Sequence, residues 1–244
     1  MMRAIVTGAT SGIGAATVLA LRNIGHDVLA VARRRNRLEA LGTDTGAKFV
    51  SSDVRNIVKL AEEIDAFEPD ILVNNAGVGH GIDGFVGVGP ELVQEAVDIN
   101  VTSLVQLTGA VLPGMIAREA GHIINIGSIS GLHTISSALY GATKAAVHIF
   151  SQNLRAELIG AGIRVTEICP GRVASEFYEA AAGDRNRLDR MGAPGIRALD
   201  PEDVAAAILY AVGAPTHVNV ATIELLPTDQ AVGGVKTRTS NGAT

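Results

Sequence analysis

Cysteine is almost missing: Cys169 stands alone in 244 residues, so no intrachain disulfide can form and a reducing compartment suits the chain. Tryptophan is absent and aromatic residues make up 3%, which leaves Ala, Val, Ile and Leu to build the interior. There is no surplus of positive charge. The formal net charge of −5 speaks against a non-specific nucleic-acid binder, although it leaves room for a local basic patch that holds one phosphate. A long apolar run is also lacking. The longest, residues 203–216, is interrupted by Gly213 and ended by Pro215, well short of the roughly 20 residues a spanning helix needs. The first residues reach the turn at Gly8 after a very short apolar stretch, so no signal peptide is expected. These absences predict a cytoplasmic protein with neither a membrane nor a nucleic acid as partner.

What is present is regular. Hydrophobic residues make up 47% of the chain, and 28 glycines accompany them. Strand-like runs are expected at residues 4–6, 28–32, 48–50, 70–74, 122–127, 163–168 and 218–225. Helical spacing falls between them, at residues 13–24, around 38–41, and at 54–67, 91–118, 138–159 and 201–212. Pro113 is expected to perturb or end the fourth of these helices. Strands that alternate with helices predict an α/β fold: a Rossmann-like, doubly wound parallel sheet of about seven strands, with helices on both faces and right-handed crossovers. One domain over residues 1–235 is expected, with a disordered tail at 236–244. The least regular stretch, residues 175–200, carries Gly183, Gly192, Pro194 and Gly195, the composition of a functional lid.

The first strand runs into Thr7-Gly8-Ala9-Thr10-Ser11-Gly12-Ile13-Gly14 and then a helix. Glycines at this place let the backbone turn sharply and approach a pyrophosphate on the positive end of that helix. Gly8, Thr10, Ser11, Gly12, Ile13 and Gly14 are therefore candidate cofactor contacts. The spacing G-x-x-x-G-x-G differs from the commonest dinucleotide fingerprint, and a purely steric turn would look similar. The second strand ends Ala32-Arg33-Arg34-Arg35 with no carboxylate after Asp27. An acid there would select NAD through the ribose hydroxyls, whereas arginine suits a 2′-phosphate. Arg33 and Arg34 thus favour NADP(H) through charge-assisted forks, the plainer alternative being a solvated basic start to a helix.

Tyr140 and Lys144 sit four residues apart in a helical segment and so face one side. Ser128 follows the fifth strand, at the carboxyl edge where open α/β sheets place their ligands. A free phenol has a pKa of about 10, and a neighbouring ammonium favours the phenolate. Such a pair could exchange a proton with a substrate oxygen while a nicotinamide exchanges hydride. Each piece alone is weak, since a surface Tyr and Lys are common on helices and Ser128 could simply cap a turn. The six histidines form no metal-ligand pattern, so no metal is expected.

Taken in order, Thr7-Gly8-x-x-x-Gly12-Ile13-Gly14, Asn74-Asn75-Ala76-Gly77, Asn100, Ser128, Tyr140-x-x-x-Lys144 and Pro170-Gly171 resemble the short-chain dehydrogenase/reductase family, over about residues 3–234. The resemblance implies that Tyr140 is the general acid or base and that Lys144 lowers its pKa and binds the nicotinamide ribose. It implies that Ser128 polarises the substrate carbonyl and that Asn100 anchors a water relaying protons from Lys144. It assigns cofactor contacts to Asp53-Val54 at the adenine, to Asn75, Ala76 and Gly77 beside the fourth strand, and to Pro170, Gly171, Val173 and Ser175 on the nicotinamide side. A homo-oligomer, tetramer or dimer, formed through the helices at 91–118 and 138–159 is implied too. The implied activity is hydride transfer between NADP(H) and a small carbonyl or alcohol, foremost aldehyde or ketone reduction. The alternatives are an NAD-dependent alcohol dehydrogenase, an epimerase or dehydratase, or a non-catalytic dinucleotide sensor on the same fold. Plainer roles stand beside some residues: Asp53 as a helix cap, Asn100 as an exposed polar residue and Cys169 as inert core.

Two departures from the family pattern bear on function. Ser11 stands where many NADP-preferring members carry a basic residue, and Tyr140 follows Ser128 by twelve positions, one fewer than in most members. The run Leu226-Pro227-Thr228-Asp229-Gln230 resembles the tail of broad-specificity alcohol and hydroxy-acid members.

Overall fold

The computed structural model describes residues 1–135, 137–183 and 196–232. The element order is β1 (Arg3–Thr7), α1 (Gly12–Asn23), β2 (Asp27–Ala32), α2 (Arg35–Thr45), β3 (Lys48–Ser51), α3 (Ile57–Phe67), β4 (Ile71–Asn74) and α4 (Pro90–Val97). A π-helical turn (Asp98–Thr102) leads into α5 (Ser103–Ala117), followed by β5 (Gly121–Ile126), α6 (Ile129–Leu132), α7 (Ala138–Glu157) and β6 (Ile163–Pro170). After these come α8 (Phe177–Ala182), the helix Pro201–Gly213, here α9, and β7 (Thr222–Leu225).

Among the described residues seven strands form one sheet in the order β3-β2-β1-β4-β5-β6-β7, and every pairing is parallel. Successive strand residues point to opposite faces, so each apolar strand feeds two cores. Ala4, Val6, Val28, Ala30, Ile71, Val73, Ile124 and Ile168 pack with Val18 and Leu21 of α1 and Val204 and Ile208 of α9. Ile5, Leu29, Val31, Leu72, Ile123 and Val165 pack with Leu60 and Ile64 of α3, Leu107 and Val111 of α5 and Leu154 of α7. A sheet buried on both faces explains why its strands read as continuous apolar runs. Chain order reverses between β1 and β4, and the carboxyl ends on either side of that point frame a crevice.

The structure corrects the sequence reading in several places. The helix expected at 91–118 is two helices joined by the π turn. Pro113 neither ends nor breaks α5, which runs on to Ala117. It lies on the exposed side, and Gly109, whose carbonyl loses the missing donor, is exposed too, so water can serve that carbonyl. The last strand begins at Thr222 rather than 218. Ahead of it the Val220 and Ala221 carbonyls accept from the Thr166 hydroxyl at 2.7 Å and Arg155 at 2.7 Å, so side chains hold much of that backbone. Within the stretch expected to be irregular, α8 forms, and Val173 bridges Leu199. Residues 184–195 of that stretch and the expected tail at 236–244 lie outside the described residues. Pro90–Ala117 is long and apolar enough to cross a bilayer by composition, yet here α5 packs on α3 and Leu107, Val111 and Met115 join the core, the ordinary place of a core helix.

Candidate active site

A cleft of about 1030 Å³ opens at the carboxyl ends of the strands. Its floor begins at the glycine turn. Gly8 and Gly12 adopt φ of 65° and 48°, backbone states that side chains resist. A Cβ at Gly14 would collide with the Gly8 carbonyl. Gly14 thus closes the turn from beneath, while Gly8, Thr10, Ser11, Gly12 and Ile13 line the cleft. Ser11 at the head of α1 makes no side-chain cap, which leaves the first N–H groups of the helix free for an anion. The turn is tied to β4 by Thr7, whose hydroxyl accepts the N–H groups of Asn75 and Ala76 at 3.0 Å each. Asn75 Nδ2 returns a hydrogen bond to the Thr7 carbonyl at 2.8 Å. Thr7 stands in the sequence motif, but only the fold brings its hydroxyl to the end of β4.

The two arginines expected to meet a 2′-phosphate behave differently. Arg34 donates to Thr10 Oγ1 at 3.1 Å, Ser11 Oγ at 2.8 Å and Glu176 Oε2 at 2.8 Å. Glu176 also receives Arg37 at 2.7 and 2.9 Å, and the two guanidinium groups hold its carboxyl below the usual range. Arg33 points outward, with Nη1 4.0 Å from Asp53 Oδ2. Asp53 is gripped by Arg55 through two side-chain hydrogen bonds of 3.0 and 2.8 Å, which lower its pKa. It does not cap α3; Asn56 does, accepting from Lys59 N. Arg33, Arg34, Asp53 and Val54 all border the cleft. Arg37, Arg55 and Glu176 escaped the sequence reading.

Ser128, Tyr140 and Lys144 meet at the other end, only 7%, 7% and 5% exposed. Ser128 follows β5 and accepts from Ser130 N at 3.1 Å. Lys144, one turn after Tyr140 on α7, donates to the Ile126 carbonyl at 2.8 Å, and its Nζ lies 5.8 Å from the Tyr140 ring centre. Burial pushes the phenol of Tyr140 above its ordinary value, with the Ser128 hydroxyl working the other way. Burial brings Lys144 down to about 8. Desolvation is the largest influence on both groups, and it favours the neutral phenol and the neutral amine.

Asn100 is 1% exposed and borders no part of the cleft, so it is neither a surface residue nor a direct contact. Its Oδ1 accepts Val78 N at 2.8 Å, and its Nδ2 donates to Val78 O at 2.9 Å and Thr143 Oγ1 at 3.0 Å. Thr143 in turn donates to the Tyr140 carbonyl at 2.8 Å. The π turn carries Asn100, a local widening of the kind often found at functional sites. A Cβ on Gly77 would stand 3.3 Å from Asn100 Oδ1 and 3.7 Å from Lys144 Nζ; the two groups flank that glycine. Asn75, Ala76 and Gly77 line the cleft, as do Pro170, Gly171, Val173 and Ser175 across from them. The sequence reading missed Phe177, whose ring lies 5.6 Å from Tyr140, and Tyr178, over which Arg172 stacks at 4.2 Å. Cys169 is fully buried and burial raises its thiol pKa, as inert core requires.

A parallel sheet with a glycine-cradled crevice at its reversal point, and a buried Ser, Tyr and Lys beside it, define a dinucleotide-fold oxidoreductase of the short-chain type. The sequence profile of the short chain dehydrogenases matches residues 2–186, and the chain belongs to that family. It is 39% identical to the NADP-dependent 3-hydroxy acid dehydrogenase YdfG of Escherichia coli strain K12, covering 96% of this chain and 98% of that one. It is 40% identical to the uncharacterized short-chain type dehydrogenase/reductase y4eK of Sinorhizobium fredii, over 96% and 94% of the two chains. Among solved structures, the closed form of serine dehydrogenase complexed with NADP+ superposes with a TM-score of 0.90 at 38% identity, covering 98% of this chain and all of that one. A short-chain dehydrogenase from Sphingobium yanoikuyae in complex with NADPH gives 0.79 at 29% identity, over 93% and 88%.

Proposed function

We propose that this protein is an NADP(H)-dependent dehydrogenase/reductase that interconverts a small carbonyl compound and its alcohol, with Tyr140 as acid and base. The observation that carries the reading is the burial of Tyr140, Lys144 and Ser128 together at the end of a cleft whose other end is cradled by glycines. The cofactor fits: Gly14 has no room for a side chain, the α1 N-terminus is uncapped and Arg34 is moored on the phosphate turn. Bound NADP(H) would supply the hydride. The residues of the chain would do the rest. Arg34, helped by Arg33, would hold a 2′-phosphate, and Asp53 and Val54 would border the adenine. Asn75 to Gly77, with Pro170, Gly171, Val173 and Ser175, would brace the reactive ring. Ser128 would hold the substrate oxygen against the Tyr140 hydroxyl, which gives its proton in reduction and takes it back in oxidation. Lys144 would bind ribose hydroxyls, and Asn100 would fix the loop at Val78 and the backbone of α7 from behind.

The names of the relatives point within this class to hydroxy acids, and Arg172 offers a cation on the cleft wall. Exposed Val105 and Ile116 on α5 and Ile149 on α7 support self-association through those helices. Assay of the purified protein against aldehydes, ketones, 3-oxo acids and 3-hydroxy acids, with both cofactors, tests the reading. Turnover with NADPH or NADP+ at least about tenfold above NADH or NAD+ is expected. Equal or better turnover with NADH, or tight NADPH binding with no turnover on any of these classes, would overturn it.

A further inference from the structure

Strand β6 carries a charge that neither the cofactor cleft nor the core calls for. The Glu167 side chain is 1% exposed, and its Oε2 lies 2.6 Å from His148 Nδ1. The other ring nitrogen of His148 lies 2.8 Å from Gln152 Nε2 at the surface. Glu167 Oε1 has no hydrogen-bond partner among the described residues and presses on Gly127, where a Cβ would collide with it. Gly127 sits between Ile126, whose carbonyl receives Lys144 Nζ, and Ser128. One backbone residue therefore separates this carboxylate from the groups that do the chemistry. Along α7, Tyr140, Lys144, His148 and Gln152 follow each other at four-residue steps, which sets them on one stripe. A buried carboxylate with an unpartnered oxygen is costly, and apolar residues would fill the same space at less cost.

We propose that Glu167 is a positioning residue for the Tyr140–Lys144 pair: its buried negative charge holds the Lys144 ammonium on the Ile126 carbonyl, and His148 and Gln152 link that charge to solvent. This rests on the reading of Tyr140 and Lys144 given above. Burial lowers the proton affinity of Lys144, and Cys169 and Glu167 act against it. Burial and the adjacent Glu167 both raise the Cys169 thiol pKa, so Cys169 is uncharged near neutrality and the opposing charge is that of Glu167. The other groups near the carboxylate are His148 and Arg155 on α7. Its cross-strand neighbours, Asn125 on β5 and Thr222 on β7, do not titrate. His133 and Glu224 pair with each other at 2.9 Å near the rim.

Two readouts test the proposal on the full chain. The first is the pH dependence of acetic anhydride labelling at Lys144, read by peptide mass spectrometry, whose midpoint in the native protein is expected at about 8. Glu167→Gln should lower that midpoint by about one pH unit, and Glu167→Asp, which keeps the charge, should restore most of it. The second is the alkaline limb of kcat for NADPH-dependent ketone reduction, which should move down by the same amount in Glu167→Gln with KM unchanged. Should the single variant fail to fold, the pair Glu167→Gln with His148→Gln replaces both ends of that buried contact with amides and should give the same fall. An unmoved labelling midpoint in a folded variant that still turns over would overturn the role of Glu167. A moved midpoint in a protein that turns over nothing would contradict the catalytic reading while leaving the electrostatic link in place.

Discussion

At the end of the cleft proposed to take the adenosine, the side chains of Arg34, Arg37 and Glu176 keep 40%, 44% and 46% of their surface exposed. At the proposed catalytic end Lys144 keeps 5% and Glu167 1%. Both ends hold charged side chains, yet water shares the work at one and is shut out at the other. Exposed pairs are screened by salt and each contributes little, so preference for a cofactor can be spread over several arginines. Burial itself moves proton affinities, as Tyr140 and Lys144 show. The contrast predicts large effects from single changes at the catalytic end and small ones at the adenosine end.

The largest loss is expected from Lys144→Ala, which should cut turnover about a thousand-fold in steady-state assays and weaken NADPH binding as well. A loss under tenfold would erase the contrast. A smaller effect, on stability, is expected from His122, 2% exposed between β4 and β6. Its Nε2 lies 2.8 Å from Thr166 Oγ1, whose own proton goes to the Val220 carbonyl. Burial lowers its pKa to about 3, against about 6.5 in an unfolded chain. The unfolded state therefore binds the proton first as pH falls. Stability present above about pH 6.5 should drain away down to about pH 3, on the order of 5 kcal/mol in all. Urea unfolding at pH 7 and pH 4.5 should show a steeper decline for the native protein than for His122→Gln; equal slopes would remove His122 from the account.

The adenosine end should respond more gently. Arg34→Ala is expected to weaken NADPH about tenfold, the worth of one charge-assisted contact, and to leave NADH nearly unchanged in fluorescence titrations. Equal losses for both cofactors would place Arg34 on the pyrophosphate instead. Glu176→Gln should strengthen NADPH binding by roughly threefold, because a carboxylate on Arg34 and Arg37 competes with a phosphate. Weaker binding would mean that Glu176 orients the arginines rather than occupying them.

How much of this could be read from the chain follows the same division. The glycine turn, the Tyr140 and Lys144 spacing and the alternation of strand and helix are local patterns, and the structure keeps them. The Arg34–Glu176 contact joins residues 142 positions apart, and only the folded crevice brings them together. Pro113 misled because its effect depends on which face of α5 meets water. The π turn at Asn100 has no signature in composition. Glu167 left a usable trace: a charge inside the apolar run of β6, with His148 one turn beyond Lys144. Its meaning needed the packing of α7 on β6. The upward shift of Tyr140 was illegible for the same reason, since burial is a property of the fold.

The central claim is that the Tyr140 hydroxyl carries the proton while other residues bind the cofactor. Parallel measurement of NADPH affinity and carbonyl reduction in Tyr140→Phe tests it most directly. Affinity within about threefold of the native protein, with turnover reduced at least about a hundred-fold, is the expected result. Retained turnover, or a loss explained by failed cofactor binding alone, would contradict it.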